Sequence, residues 1–491
     1  MTLPALPAVA NAGRRRGMVF QSYQGMNGRK EFPTHRLSTI REVASRPNLK
    51  YRDQIPPKTH RFACSGSTSD GTATECFVYI TLPGATEPVT AGRFVQERQR
   101  SSLILGRFVY GRSYLARQDA VAFDPVELKL FDRTYETIAL GGVFGALRDA
   151  GPDYWGRRVI ERHAGKPQLG ELDYLLHSPD DRAGALGFGL NQVPPAPLRA
   201  FNRTIQLAKL QEIADAIIAD EVPQTGVEAA QVEELLLVGT SVGGARPKAV
   251  VEDDDGLWIA KFNRKDDRWN MARIEHAMLM LARACGLSTA ESRLDNIGDR
   301  DVLLVKRFDR ERAGGGYHRA RMISGLTLLR TDDAPGNRDR WSYVLLVEEL
   351  RRASARPDAD AQELFRRMCF NALISNTDDH PRNHAMIAKH ADWRLSPAYD
   401  LTPTSPVSQD HRDLALLIGD QGRFANAQNL LSQCSRFMLT REAAEAIIME
   451  MTLTVRDRWY EIARSVGVTE SDCALIAGAF AYPGFQIQSG N

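Results

Sequence analysis

Residues 371–400 read NALISNTDDHPRNHAMIAKHADWRLSPAYD, and three oxygen-bearing side chains in this stretch, Asp378, Asn383 and Asp400, stand at an informative spacing. Two short apolar runs flank a polar turn at 389–392, a pattern that predicts a β-hairpin. Such a hairpin would return Asp400 to the neighbourhood of Asn383. Because carboxylate and amide oxygens suit Mg²⁺ and can share it with phosphate, the stretch predicts a site for phosphoryl-transfer chemistry.

The interval from Asp378 to Asn383 is the one that separates Asp from Asn in the protein-kinase catalytic loop, H-R-D-L-x-x-x-N. In that loop the Asp accepts the proton of the attacking hydroxyl, and the Asn and a later Asp hold the metal. An Asp-Asp pair such as Asp378-Asp379 is, however, most often a turn that caps a neighbouring element. The stretch alone does not separate these two interpretations, and the rest of the chain has to.

Length and charge limit the classes of protein to be considered. A chain of 491 residues leaves room for two or three hydrophobic cores. The formal charge of +2 is uneven, since residues 1–60 carry a net +8 and leave −6 for the remainder. The bulk of the chain is therefore not expected to bind nucleic acid non-specifically.

Cysteine usage and hydropathy indicate a cytoplasmic protein without a membrane partner. The cysteines are scattered, with no CxxC and no His at ligand spacing, which favours reduced thiols over disulfides or structural zinc. They are Cys64, Cys76, Cys285, Cys369, Cys434 and Cys473. No apolar run reaches membrane-spanning length.

Shifts in composition predict four segments and an α+β fold. Residues 1–72 are basic, carry little apolar periodicity and indicate a disordered extension; the alternative is a basic arm for nucleic acid or a partner. Residues 73–165 predict a small β-rich module ending in helices. Residues 166–335 predict a mixed lobe, and 336–491 a helical lobe that contains the Asp378 stretch.

A glycine-rich segment lies in the mixed lobe, at 235–248 (LLLVGTSVGGARPK). Gly243 and Gly244 let backbone N–H groups approach an anion closely, and Ser241 stands beside them. The segment is not a Walker A loop, because Lys248 is followed by Ala249. By itself, a glycine-rich turn is more often only a tight connection.

A lysine within an apolar strand follows it. Lys261 lies near the end of the run LWIAKF, and Glu275 follows fourteen residues later on a predicted helix over 270–286. Kinases use a strand Lys and a helix Glu in this order to hold the ATP phosphates, although a surface Lys and a solvated Glu would give the same pattern. The apolar run at 302–308 then predicts a hinge strand that lines the adenine.

The order of glycine-rich loop, strand Lys, helix Glu, hinge strand, D-x4-N, hairpin and Asp is the order that a kinase-type phosphotransferase requires. Four segments also resemble the HipA family of serine/threonine kinases, the toxin halves of bacterial type II toxin–antitoxin pairs. The resemblance extends from about residue 77 to the C-terminus, includes GGVFGALRDAGPDYWGR at 141–157, and does not cover 1–72. Its four segments are 240–248 (TSVGGARPK), 305–309 (VKRFD), 376–384 (NTDDHPRNH) and 395–402 (LSPAYDLT).

The resemblance implies a kinase-like two-lobed fold with a β-rich N-terminal module and a helical C-terminal lobe, which uses ATP and Mg²⁺. It makes Asp378 the catalytic residue, Asn383 and Asp400 the metal ligands, and Lys261 the ATP-binding lysine. It further implies roles for Lys306 and Phe308 on the hinge and for Ser241 as an autophosphorylated serine.

Two residues have roles inferred beside these. Glu275 is expected to steady Lys261, and His380 to hydrogen-bond the backbone of the catalytic loop unless it is simply a structural histidine. The segment Arg246-Pro247 stiffens a loop that needs to move, which weakens the expectation of a Ser241 switch.

The resemblance also implies a substrate and partners. The substrate would be a component of translation, such as an aminoacyl-tRNA synthetase, and the partner a helix-turn-helix antitoxin that links the protein to operator DNA. Two other classes stay open. One is a small-molecule phosphotransferase of the aminoglycoside or choline kinase sort, which uses a similar D-x4-N…D set. The other is a non-catalytic scaffold for a DNA-binding partner.

Overall fold

The computed structural model describes residues 74–99, 103–197, 201–219, 246–298 and 300–485. The extension predicted for 1–72 lies outside these residues, and so does the part of the glycine-rich segment that contains Ser241, Gly243 and Gly244. Among the helices that the structure describes, none is both long enough and apolar enough to cross a lipid bilayer.

Aromatic and β-branched residues in 75–137 form the first sheet. Phe94 of its second strand and Phe108 and Tyr110 of its third are buried, and Gly106 permits a close approach, since a Cβ there would lie 1.9 Å from the carbonyl oxygen of Gly142. The strands are all antiparallel, in the spatial order β4-β3-β2-β1-β5: β1 (Glu75–Thr81), β2 (Pro88–Arg98), β3 (Ile104–Tyr110), β4 (Thr134–Thr137) and β5 (Leu186–Gly189).

Short helices connect the strands of this sheet. They are α1 (Arg112–Leu115), α2 (Gly145–Asp149), α3 (Tyr154–Ala164) and α4 (Glu171–His177). The helix α3 begins at an N-cap, Asp153, whose Oδ1 accepts a hydrogen bond from the backbone N–H of Gly156 at 2.6 Å. It ends at Gly165, which adopts the left-handed conformation that glycine favours (φ +63°).

The second sheet has the spatial order β6-β7-β8-β10-β9, antiparallel except at its β6 edge. Its strands are β6 (Asn202–Arg203), β7 (Lys248–Asp253), β8 (Gly256–Phe262), β9 (Ser292–Ile297) and β10 (Arg300–Lys306). The helix α5 (Leu207–Ile218) packs on one face, against Trp258 and Phe262. The helix α6 (Met271–Ala284) packs on the other, where Ala272 contacts Leu303 and Val305. The two faces therefore have different partners.

Two smaller sheets follow. One pairs β11 (Arg310–Ala313) with β12 (Gly316–Arg319), and the other has the order β13-β14-β15, with β13 (Arg321–Ser324), β14 (Ala385–Ala388) and β15 (Arg394–Leu395). The hairpin predicted between Asn383 and Asp400 is confirmed, because Met386 pairs with Leu395 and Ile387 with Arg394.

Helices form most of the remaining chain. They are α7 (Gly325–Leu329), α8 (Tyr343–Ala353), α9 (Pro357–Leu373), α10 (Ala427–Ser432), α11 (Arg441–Ser465) and α12 (Glu470–Ile476). The helix α9 starts with Pro357 in its first turn and buries Leu364 and Phe365 completely. After it ends, Ser375 takes a left-handed conformation (φ +54°) and the chain turns into the loop that contains Asp378.

Strand pairing crosses two of the predicted segment boundaries. The boundary at residue 165 divides the first sheet, because β5 pairs with β1 through Phe77 and Gly189. The boundary at 335 separates β13 from its partner β14, which lies in the helical segment. Strand pairing joins residues that are distant in sequence, and local composition carries no information about such pairs.

Candidate active site

Lys261 lies on β8 and is held by an acidic residue of α6. Its Nζ is 2.6 Å from Oε1 of Glu275, whose side chain is buried. The strand alternation puts Lys261 on the face of the second sheet that packs against α6, opposite Leu303 of β10. Lys261 is thereby fixed at the edge of the space between the second sheet and the helical part of the chain.

Asp400 reaches the same lysine from that helical part, with its Oδ1 2.8 Å from Lys261 Nζ. Burial by itself would raise the pKa of the Asp400 carboxyl, but the charge of Lys261 and their hydrogen bond outweigh it and lower that pKa to about 2. Burial likewise opposes the charge of Lys261, and Asp400 and Glu275 together raise its pKa above the usual value. The Asp400 carboxylate and the Lys261 ammonium are therefore both charged at neutral pH.

The backbone at Asp400 is strained. Its φ of +59° lies in the left-handed region, where residues other than glycine are uncommon. The preceding residue, Tyr399, fixes the segment by donating a hydrogen bond from its hydroxyl to the carbonyl oxygen of Arg382 at 2.8 Å. Strain of this kind persists only where the surroundings impose it, and it concentrates at functional sites.

The loop between α9 and β14 presents Asp378 and Asn383 together. The backbone N–H of His380 donates to the carbonyl oxygen of Asp378 at 2.8 Å, and Nδ2 of Asn383 donates to the same oxygen at 3.3 Å. The N–H of Asn383 then donates to the carbonyl of His380 at 2.9 Å. His380 thus contributes to the loop through its backbone, while Asp378 stays exposed and Asn383 is buried.

The charges around Asp378 make it a better proton acceptor. Desolvation raises the pKa of its carboxyl, the charge of His380 lowers it, and the negative charges of Asp400 and Asp379 raise it again, so that the net shift is upward. A carboxylate with a raised pKa that is also exposed can receive a proton from an incoming hydroxyl group.

An apolar wall stands on the Lys261 side of the second sheet. Leu303 and Val305 of β10 are buried there, and the ring of Phe308 packs on that of Tyr399 with centroids 5.7 Å apart. Apolar and aromatic walls with a few polar groups are typical of sites that bind a planar ligand. Tyr399 did not figure among the predicted site residues, although it stands directly before Asp400 in the sequence.

The side chain of Lys306 is not part of this group. The register pairs Lys306 with Trp258, on the face that packs against α5. Its Nζ lies 3.0 Å from Oε2 of Glu291 and 5.4 Å from the centroid of the Trp258 ring. Phe308 therefore packs with Leu303, Val305 and Tyr399, whereas the Lys306 side chain lies on the opposite face of the second sheet.

The oxygen donors at the site are enough to bind Mg²⁺ only if a phosphate group supplies further ligands. Within the described ranges there is no group of three or more His, Cys, Asp or Glu side chains that could hold a metal. Asn383 and Asp400 offer one amide and one carboxylate, and Mg²⁺ in proteins is commonly bound by one or two carboxylates together with substrate phosphates and water. The residues present thus suit a metal that arrives with a nucleotide.

The described chain resumes at Arg246, near the C-terminal end of the glycine-rich segment, and its first residues are anchored. Arg246 forms an ion pair with Asp267, and Lys248 Nζ lies 2.6 Å from Oδ2 of Asp153, the N-cap of α3. Both members of the second pair are almost fully buried. The C-terminal end of the glycine-rich segment is therefore attached to the helical end of the N-terminal module.

A second ion-paired group joins the N-terminal module to the loop that contains Asp378. Asp333 accepts from Arg148 of α2 at 3.1 Å and from Arg382 of the loop at 2.8 Å. Burial opposes its ionisation, yet the two arginines lower the pKa of the Asp333 carboxyl. Sequence reasoning did not find this bridge, because its members are distant in the chain and no local spacing relates them.

Part of the chain is similar to a known protein family and to proteins named as kinases. Residues 240–459 match the model of the family described as HipA-like C-terminal domain. A protein of Sinorhizobium fredii named "Putative kinase Y4mE" is 29% identical over 154 residues, which are 30% of this chain and 35% of that protein. A Haemophilus influenzae protein named "Putative kinase" is 23% identical over 221 residues, 41% of this chain and 64% of that protein. The matched part of the chain thus covers less than two thirds of the length of each of these two relatives.

A solved structure shows the fold. A chain of the Shewanella oneidensis toxin–antitoxin complex of HipA, HipB and operator DNA superposes with a TM-score of 0.59, covering 82% of this chain and 94% of that one. The sequence identity of 17% restricts this likeness to the fold. The predicted α+β, HipA-like kinase fold is confirmed.

Proposed function

We propose that this chain, whose residues 240–459 match a HipA-like C-terminal domain, is an ATP-dependent serine/threonine protein kinase. The observation that carries the proposal is the convergence of two parts of the chain. Lys261 and Glu275, from the second sheet and its helix, meet Asp400, whose charge also acts on Asp378. A lysine, a steadying glutamate, a metal-type aspartate and an exposed aspartate are the groups that phosphoryl transfer to a hydroxyl requires.

In the proposed reaction the hydroxyl oxygen of the acceptor bonds to the γ-phosphorus of ATP, and the bond from that phosphorus to the β,γ-bridging oxygen breaks. Asp378 orients the hydroxyl and receives its proton, and ADP leaves with the electron pair of the broken bond. Lys261, fixed by Glu275, neutralises phosphate charge. Asn383 and Asp400 would hold Mg²⁺, which neutralises the charge that develops on the phosphate oxygens.

The finer role rests on the family resemblance and the fold. We propose a growth-arresting toxin of the HipA type that acts on a component of translation, for which an aminoacyl-tRNA synthetase is the first candidate. A helix-turn-helix antitoxin would neutralise it and connect it to operator DNA; in the Shewanella complex, HipA is accompanied by HipB and its operator DNA. We place the protein in the cytoplasm, supported by five free, buried cysteines among the described residues.

The alternative function is that of a small-molecule phosphotransferase, because such enzymes use a similar D-x4-N…D set of residues in their active sites. The two functions differ in the acceptor. Incubation with γ-labelled Mg·ATP and a bacterial lysate separates them: we expect label on one or a few lysate proteins, identified by mass spectrometry, and no labelling once EDTA removes Mg²⁺. Label that appears only in the small-molecule fraction would support the alternative. ATP that stays intact in both fractions would contradict both functions.

Ser241 provides a prediction about self-inhibition. If the glycine-rich segment closes over ATP, the Ser241 hydroxyl comes within reach of the γ-phosphoryl group, and a phosphoserine with nearly two negative charges would repel further ATP. We expect wild type to gain the mass of one phosphate and lose activity as it does so. Ser241→Ala should gain none and remain active for longer.

Intact-mass measurement during incubation with Mg·ATP, with ATP consumption followed in parallel, tests this. Thr240→Ala, in the neighbouring position, is the matched control and should behave as wild type does. Phosphate at another position, or activity that decays at the same rate in Ser241→Ala, would remove the switch and leave the kinase assignment intact.

A further inference from the structure

The two aspartates of the sequence Asp378-Asp379 face opposite environments. Asp378 is exposed, whereas Asp379 retains only 1% of its accessible surface. A carboxylate is costly to bury unless hydrogen bonds replace its water. The cost at Asp379 therefore has to be offset by specific partners, and those partners fix the direction of the loop.

Two side chains converge on the same oxygen of Asp379. The hydroxyl of Tyr343, on α8, donates a hydrogen bond to Oδ2, and Nε2 of His384 lies 3.1 Å from that oxygen. The rings of Tyr343 and His384 also meet edge to face, with centroids 5.4 Å apart. Tyr343 and His384 are themselves buried, so this cluster is shielded from water.

The contact with Asp379 assigns the tautomer of His384. In the part of the chain that the structure describes, Nδ1 of His384 is buried and has no hydrogen-bond partner. A proton on that nitrogen would be left unsatisfied, so the proton is assigned to Nε2, where it is donated to Asp379. Asp379 thus receives two hydrogen bonds at Oδ2, one from a hydroxyl and one from a ring nitrogen.

The network continues to the other side of Asp378. Nδ2 of Asn371, on α9, donates to the Tyr343 hydroxyl at 3.1 Å, and Nδ2 of Asn376 donates to Oδ1 of Asn371 at 3.1 Å. The N–H of Asn376 also donates to the carbonyl of Asn371 at 2.9 Å. The loop is therefore tied to α8 and α9 two residues before Asp378, by Asn376, and one residue after it, by Asp379.

We propose that Asp379, held by Tyr343 and His384, is a positioning residue that keeps Asp378 aimed at the acceptor hydroxyl. This inference rests on the proposed function, and it adds to it a device that the kinase catalytic-loop pattern does not contain. Because Asp379 points inward, the adjacent Asp378 projects outward. Lys261 and Glu275 belong to a different sheet and helix, so substitutions in this network leave the Lys261–Glu275 ion pair in place.

Tyr343→Phe removes one hydroxyl, so Asp379 loses the hydrogen bond from Tyr343 and keeps the one from His384, while Nδ2 of Asn371 loses its acceptor. We expect the rate of Mg·ATP consumption at saturation to fall by at least about tenfold, the effect of losing one hydrogen bond to a charged group, while KM for Mg·ATP changes less than about twofold. Hydrogen–deuterium exchange of the backbone amides in 374–386 should accelerate. Asp379→Asn, which can still accept from Tyr343, should lose less activity than Asp379→Ala.

Tyr110→Phe is the matched control in the N-terminal module. Tyr110 is also buried, and its hydroxyl also makes two hydrogen bonds, to the carbonyl of Leu128 at 2.7 Å and from the N–H of Phe123 at 3.0 Å. We expect this variant to change neither the ATP consumption rate nor exchange at 374–386.

Two results would overturn the positioning role: unchanged exchange in Tyr343→Phe, or faster exchange with an undiminished rate. A full-length wild type that consumes no Mg·ATP would refute the proposed function instead. The exchange comparison between Tyr343→Phe and Tyr110→Phe would then support or refute the network by itself.

Discussion

Asp378→Asn is expected to reduce phosphoryl transfer by about 10²–10⁴-fold, the contribution that a positioned general base usually makes. The substitution preserves the size of the side chain and removes its ability to take a proton. Because Asp378 is not paired with Lys261 or Glu275, the affinity for Mg·ATP should stay within about threefold of wild type, the pattern of a residue needed for the chemical step. Initial-rate measurements and equilibrium titration with Mg·ATP give the two quantities.

Asp457→Asn is the control for this experiment. Asp457 is an exposed aspartate on α11 whose Oδ1 accepts from Nε of the adjacent Arg456 at 2.8 Å. Its loss should leave rate and affinity unchanged. If Asp378→Asn kept more than about a tenth of the wild-type rate, another group would have to be the proton acceptor, and the assignment of the loop would be wrong.

Lys248→Met is expected to lower the free energy of unfolding by about 3–5 kcal/mol, the usual cost of leaving one member of a buried ion pair unpaired. The Lys248 and Asp153 side chains are only 2% and 3% exposed. Burial lowers the pKa of the Lys248 ammonium, and the charge of Asp153 opposes that shift. Denaturant titration measures the change.

A double-mutant cycle separates the ion pair from the packing around it. Asp153→Asn retains an oxygen that can cap α3, so it tests the charge without removing the cap. The double variant Asp153→Asn/Lys248→Met should be destabilised by at least about 2 kcal/mol less than the sum of the single variants, because no unpaired charge remains. If the stability losses of the two single variants simply added in the double variant, Asp153 and Lys248 would not be energetically coupled as a buried ion pair.

The exposed pair Arg456 and Asp457 offers a comparison for the buried one. Both side chains are more than half exposed, so Arg456→Met should cost less than about 1 kcal/mol, as surface ion pairs do. If the buried and exposed pairs cost the same amount, the burial of Lys248 would have no energetic consequence.

Much of the site's outline could be predicted from local sequence. One continuous stretch of sequence contains Asp378, Asn383, Asp400 and the apolar runs of the hairpin. The structure has that hairpin. The apolar periodicity of the sequence predicts the helix that carries Glu275. Lys261 lies only fourteen residues earlier, so a short connection can bring the two side chains together. Such features depend on neighbours in the chain, which is the range over which sequence patterns act.

Contacts between distant residues could not be predicted in this way. The pairing of β1 with β5, the ion pair of Lys248 with Asp153 and the bridge from Arg148 to Arg382 through Asp333 join segments without any shared periodicity. The direction of the Lys306 side chain likewise depends on which face of the second sheet α5 covers. Strand register sets that direction, and the sequence of one strand does not contain it.

The sequence by itself determined which residues are candidates for the chemistry, because residue type and local spacing limit what a proton acceptor, a phosphate-binding lysine or a metal ligand can be. The D-x4-N spacing selected Asp378 over Asp379, but only the tertiary structure showed that these two adjacent aspartates have different surroundings. Asp379 is buried and accepts hydrogen bonds from Tyr343, which precedes it in the chain, and from His384, which follows it. Asp378 is exposed. Burial is a property of the packed fold, and it gives two identical side chains different environments.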